Sequence, residues 1–218
     1  MIISPGRRYI FVHIPKTGGT SLSLALEARA KKDDILLGDT PKAQRRRQRA
    51  KALAGQARGR LWKHATLSDI EGVLPTSELD EMFVFTLVRN PWDRAVSYYH
   101  WLREQSFDHP AVELAKSLEF KPFLLHPETE AGFRTMPSAA YVRRSDGREQ
   151  CHAFVRMEHL ERDLKPVEAH LEFTLELPHI NRSRREADYR VYFDDQTAAA
   201  IQDFCAPDIE RFGYTFDG

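Results

Sequence analysis

Two short apolar runs, each cut off by a polar loop that opens a helical pattern, restrict the possible folds of this chain more than any other feature. The first, Tyr9 to Ile14 (YIFVHI), ends in Pro15-Lys16-Thr17-Gly18-Gly19-Thr20-Ser21, after which Ser21 to Ala30 has helical spacing. The second, Met82 to Val88 (MFVFTLV), ends at Arg89-Asn90-Pro91 and opens another helix. Nearly continuous apolar runs of this length predict strands buried on both faces. In the second helix Trp92, Ala95, Val96, Tyr99 and Leu102 fall on one stripe, with Asn90 suited to cap it and Pro91 to its first turn. Strands alternating with helices predict an α/β fold: one domain over residues 1–218, a three-layer α/β/α sandwich around a central, mainly parallel sheet. Such sheets take ligands at the carboxyl ends of their strands, where both loops lie.

Composition narrows the function classes. The 218 residues carry 32 basic and 32 acidic side chains, so no surface built to embrace nucleic acid is expected, and any basic site is local. No apolar run approaches the roughly 20 residues of a membrane-spanning helix, and the opening residues suggest neither signal peptide nor anchor. Cys151 and Cys205 lie far apart in no metal-ligand or redox spacing, which predicts reduced side chains in a cytoplasmic protein.

Between the two units, Lys42 to Arg60 (KAQRRRQRAKALAGQARGR) is dense in arginine and has no acidic residue, which predicts an exposed insertion over about residues 40–60, either a solvated helix or a mobile loop, that is also suited to an anionic polymer. Leu61 to His64 (LWKH) reads as a short strand that puts His64 at its end, with Thr66 or Ser68 capping a small helix. Helices are expected at Pro110 to Leu118 and Phe120 to Leu125, then an irregular polar stretch from Thr129 to Gln150. A strand at Ala153 to Met157, a helix from Glu158 to Phe173 and another from Asp195 to Phe204 follow, before a closing IERFGYTF segment.

The first loop has the makings of an anion site. Glycines allow close backbone approach, successive N–H groups and the positive helix end face an anion, Lys16 adds a charge, and Thr17, Thr20 and Ser21 add hydroxyl donors. It is not a Walker A loop, in which lysine follows the last glycine and precedes a magnesium-holding Ser or Thr. Here lysine comes first, which suits a donor without a γ-phosphate; a tight glycine turn with a solvated lysine is the structural alternative. Arg89, at a strand end beside a helix N-terminus, and Ser97, off the apolar stripe, make a second anion grip. Histidine is the side chain suited to take a proton near neutral pH, and His64 is the candidate, with a purely structural histidine as the alternative. His13 reads as packed within its strand.

From His13 to Ser21 (HIPKTGGTS) and from Arg89 to Tyr99 (RNPWDRAVSYY) the chain resembles the sulfotransferase superfamily, in particular its carbohydrate-type group. The resemblance implies a P-loop-like fold and 3′-phosphoadenosine-5′-phosphosulfate (PAPS) as donor. It also implies a 5′-phosphosulfate loop formed by Lys16, Thr17, Gly18, Gly19, Thr20 and Ser21, with Lys16 at the leaving oxygen. Arg89 and Ser97 match the family's 3′-phosphate ligands, and His64 stands where carbohydrate members often carry a catalytic histidine. FVRMEHL from Phe154 and HINRS from His179 resemble segments that complete the donor pocket, so Arg182, Arg184 and Arg185 are candidates for the 3′-phosphate or an anionic acceptor, with solvated surface arginines as the alternative. The implied acceptor is a hydroxyl of a saccharide or glycoconjugate, with no metal, protein nucleophile or nucleic acid involved. Residues about 106–150 and the basic insertion match no family pattern and are expected to face the acceptor. A P-loop nucleotide kinase and a catalytically silent scaffold that binds an acidic partner through the basic insertion are the competing readings; the first requires ATP and magnesium, and the presence of Lys16, Arg89, Ser97 and His64 together counts against the second.

Overall fold

The computed structural model describes residues 1–178 and 185–218. In chain order its elements begin with β1 (Ile2–Ser4), β2 (Tyr9–Val12), α1 (Gly19–Ala28), β3 (Ile35–Leu36), α2 (Pro41–Leu53), α3 (Thr76–Asp80) and β4 (Phe83–Val88). They continue through α4 (Pro91–Arg103), α5 (Pro110–Ser117), α6 (Phe120–Leu124), α7 (Pro127–Thr135) and α8 (Ser138–Tyr141). The last are β5 (Ala153–Arg156), α9 (Leu160–Asp163), α10 (Lys165–Leu171), α11 (Asp195–Phe204) and α12 (Ala206–Phe212). These residues form two compact units, one of residues 1–88 with 138–178, the other of 89–137 with 185–218.

The first unit is built on a five-stranded sheet of order β3-β1-β2-β4-β5. β2, β4 and β5 pair in parallel, and β1 runs antiparallel to both β2 and β3. Four of the five strands therefore point one way, and the fold is the expected mixed α/β class with a mostly parallel central sheet. Register pairs Val12 with Thr86 and Val88 with Arg156, so the carboxyl ends of β2, β4 and β5 lie side by side. The Thr86 hydroxyl donates to the Val12 carbonyl at 2.7 Å, adding a side-chain tie between the central strands.

Side chains alternate across a strand, so a run without polar residues needs cover on both faces. Tyr9, Phe11, Phe85, Leu87 and Val155 pack against Leu22 and Leu26 of α1, Ala43 of α2, and Leu164, Val167 and Leu171 around α9 and α10. Ile10, Val12, Val84 and Val88 on the opposite face are equally buried. Cys205, in the second unit, is buried and its thiol is pushed up to about 12 by that burial; it behaves as a small core side chain.

In the second unit the predicted stripe of α4 is the core. Trp92, Ala95, Val96, Tyr99 and Leu102 are all buried and pack with residues of α5, α6, α11 and α12. Asn90 caps α4, its side-chain oxygen accepting the Trp92 N–H at 3.1 Å, while its amide donates to the Thr215 carbonyl at 3.0 Å.

Several expectations need correction. The first strand stops at Val12, leaving His13 and Ile14 to the loop. Leu61 to His64 is a turn, closed by the Ala65 N–H on the Trp62 carbonyl, because its backbone groups find no ladder partner. Thr66 caps no helix; its hydroxyl accepts from the Asp69 N–H at 3.1 Å and donates to the Asp69 carboxylate at 2.9 Å, in a tight turn. The stretch after Thr129 contains α7 and α8, since Pro127 starts α7 and half-buried Phe133 anchors it to the core. The helix expected from Glu158 to Phe173 is broken into a 3₁₀ turn, α9 and α10, because Pro166 has no N–H to continue it. β1 and β3 are strands that the sequence reading did not anticipate.

Candidate active site

The first loop leaves β2 through His13 and Ile14. Thr17 is buried and its hydroxyl donates to the Ile14 carbonyl at 2.9 Å, so this side chain ties the loop to itself. Lys16 adopts φ 67° and Gly18 φ 81°. A left-handed lysine is strained by about 1 kcal/mol or more, a cost typical of functional turns. Gly18 stands at the cap of α1, and no side chain caps that helix. The first-turn N–H groups of a ten-residue helix, with its positive dipole end, are thus presented by a sharply turned backbone. Thr20 and Ser21 lie half-buried in this turn.

Gly19 allows no side chain. A Cβ there would stand 2.3 Å from Cδ2 of His13, whose ring is buried beneath the loop. His13 does not pack within β2, as the sequence suggested; it forms the floor of the loop. Burial, reinforced by the neighbouring charges of Lys63 and Lys16, holds its imidazole well below the usual histidine range, so it is neutral. On the other side of the loop, Met157, just past the end of β5, lies against Gly18, where a Cβ would stand 3.2 Å from its Sδ. Met157 follows Arg156, which is fixed to Asp163 of α9 by an N–H bond from Nε at 2.7 Å.

His64 joins this assembly although 51 residues separate it from His13. Its Nδ1 lies 2.7 Å from the His13 carbonyl oxygen, and the two rings meet edge to face at 4.8 Å. A carbonyl only accepts, so Nδ1 carries the hydrogen and Nε2 keeps its lone pair. Burial lowers the His64 pKa to about 4 against the raising effect of the bond to His13, with Lys63 lowering it further. At neutral pH the ring is an uncharged base with a fixed tautomer. Trp62 touches its edge, with ring centroids 5.2 Å apart.

In the second unit Arg89, directly after the last residue of β4, pairs with Asp93 one helical turn on, its Nε donating to Oδ2 at 2.7 Å. Arg185 donates to the other oxygen of the same carboxylate. Ser97, buried, follows Asp93 by four residues, so these two share one face of α4, while Arg89 precedes the Asn90 cap and reaches Asp93 from outside the helix. Arg185 is fixed on Asp93 and is not the solvated surface arginine that the sequence left open. Arg182 and Arg184 lie outside the described residues.

The structure thus gathers Lys16 to Ser21 and His64 in one unit, and Arg89, just before α4, and Ser97, on it, in the other. Sequence reading missed the parts played by His13, Met157 and Asp93. The four-residue spacing of Arg89 and Asp93 was a usable signal for the last; His13 and Met157 stand inside the segments HIPKTGGTS and FVRMEHL, but nothing in those segments marked them individually.

The fold is that of a mixed α/β protein whose strand-to-helix loop lies at the carboxyl end of a central parallel strand, where such sheets take their ligands. The sequence profile of the sulfotransferase family matches residues 1–215. The chain belongs to that family, and it is a PAPS-dependent sulfotransferase. Among solved structures it is similar to mouse sulfotransferase SULT7A1 complexed with PAP, at 16% identity and a TM-score of 0.46, over 95% of this chain and 85% of that one. No curated protein matches the chain.

Proposed function

We propose that this sulfotransferase acts as one domain over residues 1–218, in the cytoplasm, on a hydroxyl of a saccharide or glycoconjugate. PAPS supplies the sulfuryl group. The uncapped start of α1 and the left-handed Lys16 and Gly18 fit an anionic group such as its 5′-phosphosulfate. In this reading the backbone N–H groups of Thr17, Gly18 and Gly19 and the hydroxyls of Thr20 and Ser21 hold that group. Thr17 contributes through its backbone, since its hydroxyl serves the Ile14 carbonyl. Lys16 stabilises charge on the leaving phosphate, an electrostatic contribution in place before reaction begins. Arg89 and Ser97 hold the 3′-phosphate, with Asp93 orienting the guanidinium.

One observation carries the assignment of the base. The Nδ1–H of His64 is tied to the carbonyl of His13, the residue that leads from β2 into the phosphate loop. Nε2 is therefore the atom that takes the acceptor's proton, a contribution worth about 10²- to 10⁴-fold in rate.

Calorimetry with 3′-phosphoadenosine-5′-phosphate (PAP), against ATP with magnesium, tests the donor site. Tight binding of PAP alone is expected, weakened by roughly 1.5–3 kcal/mol in Arg89→Ala, the range for hydrogen bonds to charged groups. His64→Ala should keep PAP binding and lose turnover on an acceptor found by screening saccharides. Preference for ATP with magnesium would replace this reading with a kinase, and full turnover in His64→Ala would remove the base.

A further inference from the structure

The phosphate loop and His64 meet on one short stretch of chain. Just past β2, two successive backbone carbonyls find side-chain partners: that of His13 accepts from His64 Nδ1 at 2.7 Å, and that of Ile14 from the Thr17 hydroxyl at 2.9 Å. Base and loop are thus fastened to adjoining residues. The His13 ring is wedged between them. Phe11 stacks beside it with ring centroids 5.7 Å apart, and the His64 ring meets it edge to face at 4.8 Å. On the loop side, a Cβ added to Gly19 would stand 2.3 Å from its Cδ2 and 2.4 Å from its Nε2. The residue is only 3% exposed, so in a close-packed interior its ring cannot shift away from one neighbour without displacing another. Its Nδ1 is buried with no hydrogen-bond partner among the described residues. A buried nitrogen left unpaired costs stability, which an aliphatic side chain of similar size would avoid. Strengthening the core is therefore not what the imidazole does there.

We infer that His13 is a positioning residue for sulfuryl transfer: its ring sets where Gly19 sits at the start of α1, its carbonyl keeps the hydrogen of His64 on Nδ1, and a displacement of the phosphate loop passes through it to the base. The inference rests on the assignment of His64 as base. Gly19 is the first residue of α1, so its place governs where the first-turn N–H groups point. The carbonyl of His13 governs which nitrogen of His64 keeps a lone pair. One rigid residue therefore sets both the donor cradle and the proton acceptor, and a loop out of place leaves the base without a fixed tautomer.

Nitrogen-15 spectra of the imidazole rings, taken on the full chain without acceptor, read the tautomer of His64, whose signal is identified by its loss in His64→Ala. The wild type is expected to show the Nδ1–H form. Gly19→Ala changes neither histidine, but its Cβ pushes on the His13 ring. It should lower PAP affinity at least about tenfold and turn the His64 signal into a mixture of both tautomers. His13→Leu removes the ring together with its unpaired nitrogen. It should unfold at the same urea concentration as wild type or a higher one, yet lose about tenfold in PAP affinity and the single-tautomer signal. A His64 tautomer unchanged in Gly19→Ala overturns the inference. So does a His13→Leu chain that keeps wild-type PAP affinity, or one that loses stability along with affinity. Full turnover in His64→Ala, with the tautomer still responding to Gly19→Ala, instead removes the base and leaves the coupling standing, so the two failures are told apart.

Discussion

Gly19 and His13 show how narrow the tolerance is at the loop. A methyl group 2.3 Å from an imidazole carbon forces the backbone or the ring to move, and both belong to the anion cradle. Gly19→Ala is expected to lower PAP affinity at least about tenfold in calorimetry, with far-ultraviolet circular dichroism unchanged. His64 has a consequence for stability as well as for catalysis. Its folded pKa is about 4 against an ordinary 6.5, so between those values the unfolded chain binds more protons than the folded one. Stability should therefore rise with pH across that window, and be lost as pH falls from 6.5 towards 4, by at most about 3 kcal/mol. Denaturant titrations of wild type and His64→Phe at pH 7 and pH 5 check this: the difference between the two pH values should shrink in the variant. Lys16, Gly18, Gly19 and Arg89 were legible as site residues because their chemistry is local to a motif. The floor of the site was not, because His13 looks like any residue ending an apolar strand.

Helix α4 joins a capped start to a core-facing stripe, and both were readable from residue types alone. Asn90 does more than the pattern implied, because its amide also ties the helix start to the Thr215 carbonyl and the Tyr189 hydroxyl. Asn90→Ala removes the cap and these bonds together, and thermal unfolding should show a loss of about 1–2 kcal/mol. Elements of two or three residues escape such reading. β1 and β3 are too short for a period of two to register, and they form only because β2 offers β1 an open edge, which β1 then offers β3. LWKH carries strand-like residues and forms a turn for the converse reason, the lack of a neighbour to pair with. Pro166 was visible in the sequence and still underweighted against the apolar spacing around it.

At the scale of the whole molecule, equal numbers of basic and acidic residues conceal an uneven distribution. Arg45, Arg47 and Lys51 of α2 are exposed and in none of the ion pairs among the described residues, whereas in the same unit Arg144 is buried against carboxylates. It donates to Glu71 at 2.7 Å, to Asp80 at 2.9 Å and to the Gln150 side chain at 2.9 Å. Although burial alone would raise it, bonds from Ser145 and Arg144 lower the Glu71 carboxyl to about 2, so its stabilising share is present above its ordinary value of 4.5 and lost as pH falls towards 2. Arg144→Ala leaves carboxylates that water can reach, so it should cost roughly 1.5–3 kcal/mol in urea unfolding, the range for hydrogen bonds to charged groups, and should blunt the acid limb of the stability profile above pH 2. By itself the sequence determined the α/β class, the two strand-loop-helix units and the anion-binding residues, because burial period, caps and glycine turns act over a few neighbouring positions. Only the tertiary structure decided that His64 meets His13, that Met157 lies on Gly18 and that Trp62 flanks the base. The first two contacts join residues 51 and 139 positions apart, brought within reach by strand order and chain path, and the third depends on LWKH forming a turn where its residue types suggest a strand.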